Sequence, residues 1–351
     1  MESKLRVGVL GTGSLGRHHA RIYSELAKAG QVEFSGIYDV VPDSAKAVSE
    51  NLGGVPVFRS VDDLVQHCDA VSIVTPTVTH HDLAKQLLMQ HKHVLVEKPM
   101  CDHADQAYEL ARLAGEQNCV LQVGHVERFN PVFGFLQKAA TDPRFIETHR
   151  LSPYPARSTD IGVALDLLIH DLDAVLAFVK SPVVRVDAVG IPVLSDSEDI
   201  VNARLNFANG CVANMTASRV SPDRMRKIRV FSGGATPCYI SLDYKEQKGY
   251  IYRMAREDEK ESNIFKKLLA AATPVLSNSA IVSEFRGKRI VREPAPIEKE
   301  EPLKLELTSF VDCVKTHHAP VVTGEFACRA LDLAFEITRQ IKEKMSKELK
   351  R

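Results

Sequence analysis

Three glycines near the start of the chain have the spacing of a phosphate-binding loop. They follow an apolar run directly and open a helical pattern. In this context Gly11 permits a tight turn, Gly13 lets the backbone approach a pyrophosphate, and Gly16 allows the helix to pack closely on the strand. The free N–H groups and the positive end of the helix dipole favour phosphate. The residues predicted to bind a dinucleotide here are Gly11, Thr12, Gly13, Ser14, Leu15 and Gly16.

A carboxylate follows this loop at the distance that a dinucleotide site needs. Asp39 ends the second predicted strand, about 20 residues beyond the glycines, where it can accept hydrogen bonds from both ribose hydroxyls of an adenosine. The same negative charge would repel a 2'-phosphate. NAD is therefore the expected cofactor, and NADP is less favoured.

Both features lie in a half of the chain where strand and helix patterns alternate. β-Branched runs predict strands at 6–10, 32–38, 70–74, 93–96 and 120–123. Helical spacing separates them, at 15–29, 43–52, 80–90 and 103–117. This alternation is typical of α/β proteins with a doubly wound parallel sheet. We predict that residues 1–125 form a Rossmann dinucleotide-binding domain.

The rhythm changes after Asn130-Pro131. A helical pattern over 163–179 is followed by alternating runs, and the turn signals Asn209-Gly210 and Gly233-Gly234 join them in pairs. The predicted strands are 200–207, 211–218, 227–231 and 239–242, and helical spacing returns at 303–316 and 325–344. Residues 126–351 are therefore predicted to form an α+β domain with a large, mostly antiparallel, open-faced sheet and C-terminal helices. The densely charged segment 253–267 is expected to be an exposed insertion with a short helix.

Composition limits the classes of partner. The 351 residues include 45 basic and 45 acidic side chains, so no net field attracts nucleic acid or anionic lipid. No apolar run approaches the roughly 20 residues needed to span a bilayer, and the first residues lack a signal-peptide pattern. The seven cysteines never form C-x-x-C, and the thirteen histidines form no H-E-x-x-H. We expect a cytoplasmic protein with reduced thiols, a small-molecule partner and no metal.

Three further motifs, in this order, resemble a known family. They are Glu97-Lys98-Pro99, the phrase Gly124-His125-Val126-Glu127-Arg128-Phe129-Asn130-Pro131, and a D-x-x-x-H helix from Asp166 to His170. Together they resemble the glucose-fructose oxidoreductase, inositol dehydrogenase and MocA family. The resemblance spans most of the chain and weakens between residues 250 and 300.

The resemblance implies a catalytic set. Lys98 would lie at the carboxyl end of a strand, where open α/β sheets bind ligands, and would hydrogen-bond a substrate hydroxyl. Asp166 and His170 are four residues apart, so one helix face presents both. His170 would accept the hydroxyl proton while a hydride leaves the adjacent carbon, because imidazoles titrate near neutral pH. Asp166 would orient the histidine and balance its charge.

The resemblance also suggests residues around this set. Thr75 and Pro76 resemble the family loop that borders the cofactor, and Glu97 is expected there too. His80 is either a helix-start residue or a cofactor contact. Arg128 is either a structural ion-pair partner or a contact to nicotinamide or substrate, and Asn130 is expected to contact substrate.

Peripheral residues resemble the nucleotide-sugar branch of the family. Arg150 and Arg157, predicted in a strand-to-helix connection, either engage a diphosphate bidentately or are ordinary surface arginines. The resemblance implies oxidation of UDP-N-acetylglucosamine at C3, with an aminotransferase acting next.

Two alternatives remain open at this stage. One is a dehydrogenase or reductase of a free sugar, inositol or another cyclic alcohol. The other is a non-catalytic dinucleotide-binding regulatory protein, which the retained Lys98, Asp166 and His170 argue against. For either enzyme we expect a homodimer or homotetramer, because a broad sheet with helices on one side leaves a partly apolar face.

Overall fold

A parallel sheet forms the centre of the first structural unit. The computed structural model describes residues 4–154, 161–256 and 280–348, and the chain divides into two compact units. The five strands of the first sheet are β1 (Arg6–Leu10), β2 (Glu33–Tyr38), β3 (Ala70–Ile73), β4 (His93–Glu97) and β5 (Leu121–Gly124). Their order is β2-β1-β3-β4-β5, and every neighbouring pair is parallel. The predicted doubly wound fold is confirmed.

Helices connect these strands, and local sequence explains several of their ends. The connecting helices are α1 (Gly16–Lys28), α2 (Pro42–Asn51), α3 (Val61–Gln66), α4 (His80–Met89) and α5 (Ala104–Glu116). Pro42 occupies the first turn of α2, where its missing N–H costs nothing. Ser60 caps α3, because its hydroxyl accepts the Asp63 N–H at 3.1 Å. The sequence predicted four of these helices and missed α3.

A nine-stranded sheet dominates the second unit. Its strands are β6 (Pro143–Leu151), β7 (Val183–Ile191), β8 (Ile200–Phe207), β9 (Val212–Ser218), β10 (Met225–Ser232), β11 (Cys238–Asp243), β12 (Lys248–Met254), β13 (Ala280–Phe285) and β14 (Lys288–Pro294). The order is β13-β14-β12-β11-β10-β6-β9-β8-β7. All pairs are antiparallel except β6 with β9, which confirms the predicted mostly antiparallel sheet.

Two hairpin turns of this sheet use the predicted glycines. Gly210 (φ +84°) and Gly234 (φ +78°) both adopt the left-handed conformation that such turns require. The exposed insertion predicted over 253–267 is wrong at its start, because Arg253 and Met254 end strand β12 and pair with β14. The rest of that segment, from residue 257, lies outside the described residues.

Two helices of the second unit carry residues that matter below. Helix α6 (Pro131–Ala139) was not predicted. The predicted helix over 163–179 is present, but it begins with a π-helical turn, Ala164–Leu168, before α7 (Ile169–Val179). Such wide turns recur at functional sites.

The C-terminal helices correct the predicted domain boundaries. Helices α8 (Pro302–Thr316) and α9 (Gly324–Glu348) were assigned to the second domain, yet the first unit comprises Met1–Phe129 and Glu301–Leu333. The reason is packing: Leu307 and Phe310 of α8 are completely buried in the same core as Val7 and Ile22. The division between Leu333 and Ala334 falls within α9.

Candidate active site

The parallel sheet brings the predicted N-terminal site residues to one edge. Gly11 follows β1, Asp39 follows β2, Thr75 lies just beyond β3, Lys98 follows β4 and His125 follows β5. The carboxyl ends of parallel strands share an edge, so five stretches distant in sequence converge there. Ligands of open α/β sheets bind at this edge.

Glycine occupies the three positions of the loop for different structural reasons. Gly11 has φ +91°, and a Cβ there would lie 2.3 Å from the Val74 carbonyl oxygen. A Cβ on Gly16 would lie 2.0 Å from the Gly11 oxygen. Gly13 is exposed, and no protein atom lies within 4 Å of its ideal Cβ position. Gly11 and Gly16 are therefore required by the protein itself, whereas the space at Gly13 is left for a ligand.

Asp39 is held in place by the loop that it faces. Its Oδ2 accepts the Thr12 N–H at 2.6 Å and the Thr12 hydroxyl at 2.8 Å, and its Oδ1 accepts the Val41 N–H at 2.8 Å. Thr12 is buried, with 3% of its surface exposed, and its two hydrogen bonds fix the orientation of the Asp39 carboxylate. Ser14 and Leu15 are exposed at the tip of the loop, and Leu15 leaves the first N–H groups of α1 without a side-chain cap.

A cavity of about 520 Å³ joins these features within the first unit. Its polar lining includes Asp39 and Thr75, its floor includes Gly11 and Gly13, and Pro76 borders it. The remaining lining is mainly apolar: Leu10, Tyr38, Val40, Val61, Val74, Val78, Thr79, Asp82 and Leu83. An apolar slot for a base, a carboxylate for a ribose and open space over a glycine fit a dinucleotide.

Lys98 lies on a turn that Glu97 anchors. Glu97 is 7% exposed; its Oε1 lies 3.1 Å from His19 Nε2, and its Oε2 accepts the Lys98 N–H at 3.3 Å. A Cβ on Gly124 would lie 2.8 Å from the same carboxylate. Glu97 therefore supports the turn, and its contact to a cofactor stays a prediction. His19 was not among the predicted site residues, although its position three residues after Gly16 and four before Tyr23 places all three on the buried face of α1.

His80 connects two loops of the site. It is 1% exposed, with Nδ1 3.0 Å from the Pro99 oxygen and Nε2 2.9 Å from the Thr75 oxygen. Burial lowers the pKa of His80, so the neutral ring donates to one of these carbonyls. His80 is also the first residue of α4, which agrees with the helix-start alternative, and its contact to a cofactor stays a prediction. Both ring nitrogens face backbone within the protein.

His125 and Arg128 occupy the turn after β5. Burial, together with the positive charges of Lys98 and Arg128, lowers the pKa of His125 to about 3, so this ring is neutral at physiological pH. The Arg128 guanidinium lies 4.9 Å from the Phe326 ring centroid, and its Nη2 donates to the Val321 oxygen at 3.4 Å. These contacts favour the structural alternative for Arg128.

Asn130 serves the backbone of the second unit. Its side-chain oxygen accepts the Val132 N–H at 3.1 Å and so caps α6, while its amide donates to the Tyr244 oxygen at 3.1 Å. Only 4% of the residue is exposed. Asn130 is thus the N-cap of α6, as Asn before Pro often is, and its contact to substrate stays a prediction.

Asp166 and His170 lie on consecutive turns of one helical segment. Asp166 lies in the π-helical turn and His170 in the first turn of α7, and both are partly exposed. Their neighbours Asp171 and Asp173 are buried. The segment thus presents the predicted catalytic pair on its accessible side.

The structure revises the proposed diphosphate ligands. Arg150 was predicted in a connection, but it lies within β6 and is 3% exposed. Its guanidinium donates to both carboxylate oxygens of Asp171, at 3.2 and 2.8 Å. A phosphate role is therefore wrong for Arg150, since this buried ion pair fixes β6 to α7. Arg157 lies outside the described residues.

Within residues 4–154, 161–256 and 280–348, no group of three His, Cys, Asp or Glu side chains could hold a metal ion. In the same part of the chain, no helix is both long and apolar enough to cross a membrane.

Comparison with known proteins agrees with this geometry. The GFO_IDH_MocA oxidoreductase family with an NAD-binding Rossmann fold matches residues 5–125, and the GFO/IDH/MocA C-terminal domain matches residues 137–234. A UDP-N-acetylglucosamine 3-dehydrogenase of Acidithiobacillus ferrooxidans is 32% identical over 95% of this chain and 96% of that protein. A solved structure of that enzyme superposes with TM-score 0.81 and 31% identity, covering 97% of this chain and 98% of that chain.

A second group of relatives is more distant. A myo-inositol 2-dehydrogenase of Thermotoga maritima is 25% identical over 98% of both chains. The domain matches and the full-length similarity lead to one conclusion: this chain is an oxidoreductase that belongs to the GFO/IDH/MocA family.

Proposed function

We propose that the chain oxidises the 3-hydroxyl of UDP-N-acetylglucosamine to a 3-keto sugar. The observation that carries the proposal is the similarity to an enzyme of that name over nearly the full length of both chains. Inositol dehydrogenases are similar at lower identity, so a cyclic polyol is the alternative substrate. A 3-keto nucleotide sugar is also the substrate that an aminotransferase would need next.

The proposed chemistry uses three side chains. The glycine loop and Asp39 would hold NAD⁺, which would supply the acceptor for a hydride from C3. The imidazole of His170 takes the hydroxyl proton, and Asp166 orients that ring and balances its charge. The Lys98 ammonium donates a hydrogen bond to the same hydroxyl oxygen, which strengthens as negative charge develops there. Alcohol and NAD⁺ become ketone and NADH, with one proton released.

The substrate test is a coupled reaction. Formation of the ketone is thermodynamically uphill, so little NADH should accumulate from the enzyme alone. The enzyme is incubated with NAD and UDP-N-acetylglucosamine, together with a 3-keto-sugar aminotransferase and glutamate, and the amino sugar is detected by mass spectrometry. The control replaces the enzyme with its Lys98→Met variant.

The substrate panel decides between the candidates. It includes UDP-glucose, UDP-N-acetylgalactosamine, myo-inositol and glucose. If no amino sugar forms while a free polyol or another nucleotide sugar reduces NAD rapidly, the substrate proposal fails and the dehydrogenase assignment stands. Arg157 stays a sequence-based candidate for the diphosphate.

Asp39 is expected to select NAD over NADP. The carboxylate is fixed by three hydrogen bonds, and the following residues 40–44 contain no Lys or Arg to hold a 2'-phosphate. The Kd for NAD should be lower than the Kd for NADP in the wild type, and Asp39→Ala should narrow the difference. Fluorescence titration measures both constants. Equal affinity for the two cofactors in the wild type would contradict the assignment.

Gly13→Ala is expected to weaken dinucleotide binding without unfolding the protein. The new methyl group would contact no protein atom, so Tm should change little, but it would occupy the space proposed for the pyrophosphate. We expect the Kd for NAD to rise at least about tenfold, which corresponds to about 1.4 kcal/mol. The matched control is Gly115→Ala, because Gly115 is helical and its ideal Cβ position is as free of neighbouring atoms as that of Gly13. Gly53 has an equally free position but φ +85°, so an alanine there would strain the backbone. Gly115→Ala should leave the Kd for NAD unchanged.

We propose that the open face of the nine-stranded sheet packs against a second copy of the chain. A row of aromatic rings crosses four strands on this face, with centroid distances of 5.5, 4.7 and 5.2 Å along Phe145, Phe231, Tyr239 and Tyr252. Phe231 is 39% exposed in the single chain. Exposed apolar surface of this kind is typical of subunit interfaces.

Assembly is tested by sedimentation. The wild type should sediment as a dimer or tetramer, and Phe231→Glu should shift it toward the monomer because a charge would replace a ring in the row. A wild-type monomer that is independent of dilution would count against this interface.

A further inference from the structure

Glu198 is a buried carboxylate outside the predicted catalytic set, and it contacts the start of the helical segment that carries Asp166 and His170. Glu198 lies just before β8 and is 2% exposed. Its Oε1 accepts the Ala164 N–H at 3.2 Å, and its backbone oxygen accepts the Val163 N–H at 3.0 Å. Glu198 therefore binds two of the N–H groups that a helix start leaves unpaired. A negative charge there is also favourable to the helix dipole.

Gly162 connects this carboxylate to Asp166. An ideal Cβ on Gly162 would lie 2.0 Å from Glu198 Oε1 and 2.4 Å from Oε2, so the carboxylate rests directly on the glycine. The Gly162 oxygen in turn accepts the Asp166 N–H at 3.1 Å. Any side chain at position 162 would displace Glu198 from its place. The backbone of Asp166 is thus two contacts away from Glu198.

The loop that carries Glu198 is itself fixed. Asp199 and Arg219 are both completely buried, and Arg219 Nε donates to Asp199 Oδ1 at 2.7 Å. Arg219 Nη1 also donates to the Ile161 oxygen at 2.7 Å, one residue before Gly162. The loop and the start of the helix are therefore joined at adjacent points, by Arg219 at Ile161 and by Glu198 at residues 162–164.

We propose that Glu198 is a positioning residue for Asp166 and His170. The π-helical turn departs from the α-helical pattern of the segment that follows it, and turns of this kind recur at functional sites. Glu198 holds the start of this turn at Val163 and Ala164, two to three residues before Asp166, and α7 continues from the turn to His170. The inference rests on the proposed function, because it assumes that this pair acts on the substrate hydroxyl.

The test compares three variants with one control. Glu198→Ala removes the acceptor, Gly162→Ala displaces it, and Glu198→Gln keeps an oxygen that can accept the Ala164 N–H. The control is Ser181→Ala, which removes a hydroxyl that accepts the Asn209 N–H at 3.1 Å just beyond the other end of α7. kcat and KM are measured on the UDP-sugar or, if the wild type rejects it, on the substrate that the wild type oxidises. Amide hydrogen exchange over residues 163–170 is measured without substrate.

Displacing a catalytic pair by about 1 Å costs up to about 100-fold in rate. We expect Glu198→Ala and Gly162→Ala to lower kcat about 10- to 100-fold and to speed exchange over residues 163–170, with the Kd for NAD within about twofold. Glu198→Gln should stay within about threefold of the wild-type kcat, as should Ser181→Ala, whose Tm is measured alongside.

Several results would overturn the proposal. The proposal fails if Glu198→Ala keeps the wild-type kcat and the wild-type amide exchange over residues 163–170. It also fails if Glu198→Gln lowers kcat as much as Glu198→Ala does. An equal loss in Ser181→Ala would assign the effect to general destabilisation. Failure of the proposed substrate appears separately, as wild-type inactivity toward the UDP-sugar, and does not alter the comparison among variants.

Discussion

Lys98→Met is expected to lower kcat about 10²- to 10⁴-fold, the range typical of a positioned acid or base. Lys98 follows β4 at the edge of the sheet where ligands bind, on a turn held by the buried Glu97. Methionine keeps most of the length and volume of the side chain and removes its charge. The lost interaction is one that grows as the substrate oxygen becomes alkoxide-like, so it acts on the transition state more than on binding.

The Kd for NAD should remain within about threefold, since the proposed dinucleotide contacts belong to the glycine loop and Asp39. Single-turnover measurements of NADH formation separate the chemical step from product release. Lys92→Met is the matched control, because Lys92 precedes the same strand at its opposite end and donates to the Cys68 oxygen at 2.8 Å. A loss of only about twofold in Lys98→Met would contradict the catalytic role.

The N-terminal half could be read from sequence because its signals are local. Four of the five parallel strands are short runs buried along most of their length, as expected inside such a sheet, whereas the edge strand β2 is partly exposed. The glycine loop follows β1 directly, and Asp39 follows β2, so the residue types and the positions in the fold agree. Helix α3 was missed because its six residues are shorter than the window in which helical periodicity can be recognised.

Polar residues in the interior account for the largest errors. The core-facing positions of β6 are Ile146, Thr148 and Arg150, so polarity does not alternate along this strand although burial does. Arg150 was therefore read as a surface ligand, whereas its charge is balanced by Asp171, which follows 21 residues later. Glu198 was not predicted as a site residue because a glutamate is almost never fully buried unless it is paired, so the sequence favoured an exposed position for it.

Long-range packing accounts for the remaining domain error. The helical spacing of α8 shows that the helix has an apolar face but does not show what covers it. Phe310 completes the core formed with Ile22 of α1, nearly 290 residues earlier in the chain. Sequence order placed α8 in the second domain, and only the contacts reassign it.

Asp199→Asn is expected to cause the largest loss of stability among single substitutions in the second unit, about 3–5 kcal/mol. Asp199 and Arg219 are completely buried, so removing one charge leaves the other without this counter-ion in the protein interior. Asp199 also accepts the N–H groups of Val193, Leu194 and Ser195 at 2.8, 2.6 and 3.0 Å. These three donors all bind Oδ2, whereas Arg219 Nε and the Ser195 hydroxyl donate to Oδ1, so an asparagine with its single oxygen can serve only one of the two sets. Asp187→Asn is the control, because it removes an exposed ion pair with Arg185 and should cost at most about 1 kcal/mol.

The stability that Asp199 contributes should decrease as the pH falls. Burial alone would raise the pKa of Asp199, but the Leu194 N–H, the Arg219 guanidinium and the Val193 N–H together hold the pKa below its usual value. A carboxylate with a depressed folded pKa contributes stability above its unfolded pKa of about 4, and the contribution is lost as pH falls below that value. The difference in unfolding free energy between wild type and Asp199→Asn should therefore be full at pH 7 and shrink as the pH falls below about 4. Urea denaturation of both proteins at pH 7, 4 and 3, with calorimetry as a second method, measures this difference in unfolding free energy. A difference that stays constant or grows on acidification would mean that Asp199 does not carry a stabilising charge.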